Sequence, residues 1–283
     1  MGSHRVFHIF WRTTNVLLAL AVVATFFTAE WEQSVRDYLK GFSDAIIPEA
    51  STPRQKVEAI LIWMNEGPPR YELRKGSTLS PRDPTDTLNY RQLLAVCGSA
   101  TNAFLNLSRS AGMESRRLLL LSPDRTAKHV VAETKLDGRW VVVDATYRVI
   151  MKDAKGNLLT RKDLQDPKIF QEAIGRIPGY PASYSYEKFV HVRLGALPFQ
   201  GTNIRVALDR IFPGWDEYVD WSLLLERRSF AYLFLSTTSF IFFLMLRAFL
   251  AWLADNRLRV PRVRLRTSLG RATAVFFSTP GIK

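Results

Sequence analysis

The sequence predicts an α+β domain, helices packed on an antiparallel sheet, carried between two membrane-spanning helices. Three observations predict it. Two apolar runs lie near the ends of the 283-residue chain, helical periodicity follows the first run, and strand-like runs take over after Gly112.

The first apolar run is Thr13 to Ala29, bracketed by Trp11 and Trp31. Those tryptophans are twenty residues apart, which at ~1.5 Å rise per residue matches a ~30 Å hydrocarbon layer. Arg5 and Arg12 precede the run, but it is longer than a usual signal-peptide core and no A-x-A-like site follows. Residues 1–30 are therefore expected to be an uncleaved anchor. Residues 31–47 read as a polar helix leaving the membrane. In "STPRQKVEAILIWMNEGPP", Ser51 or Thr52 can cap a helix, Pro53 suits its first turn, and Val57, Ile60, Leu61 and Met64 form one apolar stripe. Pro, Gly and Ser make residues 67–86 a long loop. The stretch around Cys97 reads as a helix that ends at Gly112, where glycine can adopt the left-handed conformation.

Beyond Gly112 the period changes. "SRRLLLL", "HVVAETKL" and "RWVVVDATYR" read as strands, the last two joined by a hairpin at Asp137-Gly138. Thr160 and Asp163 form a capping pair before a short helix, and another helix follows Asp166-Pro167. "GYPASYSYEKF" is Tyr-rich and irregular. His191, alone in "FVHVRL", reads as a packed strand residue. The second apolar run is Phe230 to Ala254, with Tyr232 and Trp252 as interfacial aromatics. The expected division is thus an anchor at 1–30, an extracytoplasmic domain at 31–229 with its core at 53–148, a second span at 230–254 and a basic tail at 255–283.

The net charge of +13 invites a nucleic-acid reading, but its distribution argues against one. After Asp255 come six arginines and Lys283 with no acid, whereas Glu30 to Ser229 carries 29 basic and 25 acidic residues. Charge gathered beside a span holds that end in the cytoplasm and suits anionic headgroups. A multi-pass protein of the inner (plasma) membrane is expected, with both termini cytoplasmic and the domain periplasmic. Arg227 and Arg228 sit on the outer side and oppose that bias slightly. Arg247 interrupts the second span about two turns from its end, where it can snorkel to the headgroups or face a membrane-protein partner. One cysteine allows no internal disulfide.

That cysteine, Cys97, stands at the start of a helix, where unsatisfied N–H groups and the dipole favour a thiolate. Gly98, Ser99 and Ala100 after it are small enough to let a carbonyl approach. Taken alone, a lone cysteine reads rather as an inert buried filler. His129 opens a strand and Asp144 closes the next. A turn centred between residues 137 and 138 pairs residues whose numbers sum to about 275. Asp144 then lies opposite Val131, a same-face diagonal neighbour of His129 at roughly 7–8 Å between backbones. A carboxylate there can hold an imidazole that has taken the thiol proton. Either residue alone reads as a locally satisfied strand end.

The three together resemble a transglutaminase-like domain, a family that shares its core with papain-type cysteine enzymes. The resemblance covers roughly Pro53 to Arg148 and includes "NAFLNLSRSAGMESRRL" and "GRWVVVDAT". Ala95 replaces a usual glycine two before the cysteine, and Val131 replaces a usual aromatic two after the histidine; neither change removes a reactive atom. The resemblance implies catalysis by Cys97, His129 and Asp144 through a thioester on amide bonds of a protein or peptide, resolved by water or by an amine. By analogy, Gln92 or Tyr90 joins the Cys97 N–H in holding the oxyanion. No cofactor, metal or nucleic acid is expected; membrane lipid is. The competing class is a non-catalytic membrane scaffold or docking subunit of an envelope assembly, for example in polysaccharide export.

Overall fold

The computed structural model describes residues 2–67, 71, 79–192, 201–218, 223–224 and 227–258. Much of the expected loop at 67–86 and nearly all of the expected basic tail lie outside them. The chain divides into two compact units, Met1–Phe27 with Leu235–Lys283, and Thr28–Phe234.

Helix α1 is continuous from Gly2 to Ile46. The anchor and the polar helix expected after it are therefore one element, because no proline occurs before Pro48 to break the hydrogen-bond ladder. The second apolar run forms part of a helix at Arg228–Leu253, followed by a π-helical turn at Ala254–Leu258. Both are long and apolar enough to cross a membrane, and only 11% of the apolar window of each is buried by protein. A core helix of that composition would be covered. In the first unit, Phe7, Leu250 and Ala254 pack together. Arg247 Nε donates to Asn15 Oδ1 at 2.8 Å, and its guanidinium lies 5.4 Å from the Trp11 ring. Both contacts are with the chain's own first helix.

The second unit carries the sheet. Helix α2 (Pro53–Glu66) begins as its sequence requires: the Thr52 hydroxyl accepts from Gln55 N, the Gln55 side chain accepts from Thr52 N, and Pro53 occupies the first turn. Two short helices, α3 (Pro84–Asn89) and α4 (Arg91–Leu94), lead into α5 (Cys97–Ser110). Gly112, at φ +76°, turns the chain out of α5. Strands β1 (Ser115–Leu121), β2 (Ala127–Leu136), β3 (Arg139–Asp144), β4 (Val149–Ile150) and β5 (Phe189–Val190) form one antiparallel sheet in the order β4-β3-β2-β1-β5. Positive φ at both Asp137 and Gly138 gives the β2–β3 hairpin the turn whose twist matches its strands. Its register runs from Leu136 opposite Arg139 to Ala132 opposite Val143, so the expected sum of 275 holds.

That register sorts side chains between two cores. Val141, Val143 and Ala132 face α2 and α5, packing with Val57, Ile60, Phe104 and Leu107. Val142 and Val131 face the opposite layer of α6 (Pro167–Ile174) and the Tyr-rich segment, packing with Phe170, Ile174, Tyr180 and Tyr186. The reciprocal Thr160–Asp163 cap precedes a short 3-10 turn at Asp163–Gln165. His191 is buried just past β5 and donates through Nδ1 to Arg117 O at 2.8 Å. Phe104 is fully buried on α5. Phe104→Ala is expected to lower stability by about 3–5 kcal/mol, read as a shift of the chemical-denaturation midpoint of the full chain in detergent.

Candidate functional site

Cys97 is the first residue of α5, and the residue before it, Val96, offers no side-chain cap. The first-turn N–H groups of this helix thus face the site without competition from a capping oxygen. Helix α5 is fixed to the sheet by Thr101, whose hydroxyl donates to Val130 O at 2.9 Å. This contact sets the start of the helix beside the start of β2, where His129 stands. Cys97 is half-buried, and His129 and Asp144 are 2% and 0% exposed.

The structure brings the three expected residues together. His129 Nε2 donates to Asp144 Oδ2 at 2.6 Å, which leaves Nδ1 as the ring's remaining nitrogen. The His129 side chain hydrogen-bonds Cys97, and that contact is the main reason the thiol pKa lies below its ordinary value. Burial opposes the shift; the positive charge of His129 and backbone hydrogen bonds from Val130 and Gly98 reinforce it. Burial also disfavours the charged imidazole, but the bonds to Asp144 and Cys97 and their negative charges prevail and lift His129 to about 9. The pairing thus favours thiolate and imidazolium over the two neutral forms, each partner's charge stabilising the other's.

Asp144 is held as tightly as it holds. Its Oδ1 accepts from Thr146 N at 2.9 Å and from Tyr147 N at 3.2 Å, and Tyr180 hydrogen-bonds the same carboxylate. Arg148 then ties this turn to the approach to Cys97: its guanidinium donates to Thr146 O at 3.0 Å, to Ala145 O, and to Leu94 O at 2.9 Å. Three tyrosines ring the imidazole. Tyr184 lies parallel to it, centroids 4.3 Å apart and planes 6° apart, while Tyr147 and Tyr180 meet it edge-on at 6.1 and 6.2 Å.

Arg148, Tyr180 and Tyr184 were outside the sequence expectation. Tyrosine density in "GYPASYSYEKF" was the only signal, and nothing local says that this segment folds back over a histidine some fifty residues earlier. Of the two oxyanion candidates, Gln92 is exposed on α4. Tyr90 is half-buried, with its ring 6.0 Å from that of Tyr71. A cavity of about 530 Å³ shares Arg148 with the site and is otherwise lined by residues such as Glu58, Asn65, Lys152 and Arg176; it includes none of Cys97, His129 or Asp144. Among the described residues, no group of three His, Cys, Asp or Glu side chains is arranged to hold a metal.

The model of the transglutaminase-like superfamily core matches residues 40–145. These residues are a transglutaminase-like domain. The match begins in the last turns of α1 and ends one residue past Asp144, so it takes in the helix of Cys97, the hairpin and all three interacting side chains. The tyrosines that cover His129 lie beyond the matched stretch. No curated protein and no solved structure matches the chain.

The sign of the pH effect follows from His129. Its folded pKa, about 9, lies above its ordinary 6.5, so the stability it contributes is complete below about 6.5 and is lost as pH rises through the folded value. Cys97, lowered from 9.0, has the opposite sense, contributing above 9.0 and losing that contribution as pH falls through its folded value. In a Cys97→Ala protein only the His129–Asp144 pair remains. Its melting temperature is expected to fall by a few degrees from about pH 7 to about pH 9, and the added Asp144→Asn change to abolish that fall, read by differential scanning fluorimetry.

Proposed function

We propose that this protein is a membrane-anchored cysteine enzyme that opens amide bonds of a peptide or protein through a thioester. The observation that carries the reading is the hydrogen-bonded chain from Cys97 through His129 to Asp144 within a transglutaminase-like domain.

The Cys97 thiolate attacks the amide carbonyl; a C–S bond forms and the carbonyl pair moves to oxygen. The uncapped N–H groups at the start of α5 receive that oxyanion, with Gln92 or Tyr90 as the side-chain donor. As the intermediate collapses, the C–N bond breaks and the His129 imidazolium gives its proton to the departing amine. This leaves an acyl thioester and a neutral imidazole. Water, or an acceptor amine, then attacks the thioester while His129 takes its proton. The products are a carboxylic acid or a new amide, with the thiolate and imidazolium restored. Asp144 keeps the imidazole in register and balances its charge throughout.

The remaining assignments follow the chain: an anchor at 1–30, the domain at 31–229 in the periplasm, a second span at 230–254, and both termini on the cytoplasmic side of the inner membrane. The arginine-rich end beyond Asp255 supports that orientation. The opposing charge of Arg227 is offset by Glu32, a buried carboxylate 3.2 Å from Arg227 Nε that also accepts from Ser229 at 2.8 Å.

Alkylation of the full chain in detergent by iodoacetamide is the test. Cys97 is expected to react at pH 6.5 as a thiolate, and His129→Ala to slow it about 100-fold, toward an ordinary thiol with a pKa of about 8.5. A thiol inert in the wild type would favour the non-catalytic scaffold instead.

A further inference from the structure

The stacking of Tyr184 on His129 is not required to fill space, because aromatic rings pack as readily edge-on. Tyr147 and Tyr180 do meet the imidazole that way; Tyr184 alone lies flat against it. The flat placement is held from behind. The Tyr184 hydroxyl bonds that of Tyr147, which in turn donates to Gly179 O at 3.4 Å, at the start of the same Tyr-rich segment. Both phenols lie near enough to Cys97 to feel its charge.

We propose that Tyr184 is a positioning residue for the Cys97–His129 pair, its π face holding the ring in plane and favouring the imidazolium over the neutral form. This deepens the cysteine-enzyme reading above and rests on it. A ring face is negative and attracts a cation lying over it, more strongly where water is excluded. His129 is such a place, since burial there acts against the charge. The groups facing the ring are Cys97 from α5, Asp144 at the end of β3, Tyr147 from the turn after it, and Tyr180 and Tyr184 from the overlying segment. Burial raises all three phenols above their ordinary value, so they face the ring as neutral groups near neutral pH.

A tyrosine that merely covered the site would act in the opposite sense. Removing a cover admits water and makes the imidazolium easier to form; removing a π face makes it harder. Tyr184→Phe keeps the face and drops the hydroxyl, whereas Tyr184→Leu keeps an apolar cover and drops the face. The full chain, labelled at histidine Cε1 with ¹³C and held in detergent, contains four histidines, and His129→Gln identifies the signal. The wild-type His129 signal is expected to titrate at about 9. Tyr184→Phe is expected to stay within roughly 0.3 pH unit of it and Tyr184→Leu to fall by about one unit. Alkylation of Cys97 at pH 6.5 in the Leu variant should slow by up to about tenfold. Tyr184→Met, an unbranched apolar cover, should behave as Leu and guards against a local packing fault. A midpoint unchanged or raised in both Leu and Met, or lowered as far in Phe, overturns the proposal. A wild-type thiol inert to alkylation overturns the enzyme reading instead, and the titration still decides the role of Tyr184.

Discussion

The hydrogen bond between His129 and Asp144 is the contact on which the rest of the site depends. A carboxylate with no solvent exposure is costly unless each oxygen is satisfied, and here each is. Two backbone N–H groups of the following turn take one oxygen; the imidazole takes the other, with Tyr180 also bonded to the carboxylate. This arrangement fixes the ring plane and leaves one nitrogen to face the thiol. The bond to Asp144 and its charge also favour a protonated imidazole despite burial, and that imidazole in turn draws the pKa of the Cys97 thiol down.

Reaching that contact is the work of the backbone. The hairpin at Asp137-Gly138 sets which residues of β2 and β3 share a face, so a slip of one position would send His129 and Asp144 to opposite sides of the sheet. Helix α5 approaches from the other side. Its anchor, Thr101 on Val130 O, lies one turn beyond Cys97 and one residue beyond His129. Arg148 closes the circuit by joining the carbonyl of Leu94 to the turn that holds Asp144. Three elements distant in sequence thus meet through short bonds that leave little freedom at the sulfur.

Charge elsewhere in the chain is handled by the same rule of pairing. Glu32, 2% exposed, takes Arg36 at 2.8 Å, Arg227 at 3.2 Å and the Ser229 hydroxyl. Next to them Trp31 and Tyr232 stack at 5.9 Å. In the other unit Arg247 finds Asn15 and the face of Trp11.

The sequence by itself determined the elements whose signals are local. The cap and proline that open α2, the left-handed Gly112, the Asp137-Gly138 hairpin and its register, and the apolar length of the two long helices all depend on a few neighbouring residues. The hairpin was enough to pair His129 with Asp144, since both lie on the two strands that it joins. Tertiary structure alone decided what closes over that pair. Tyr184 lies 55 residues beyond His129 in a stretch without periodicity, and Arg148 reaches back 54 residues to Leu94. Such contacts arise when separate layers pack. Their partners are chosen by the shape and unmet polar groups of a surface that exists only once the sheet and helices have assembled.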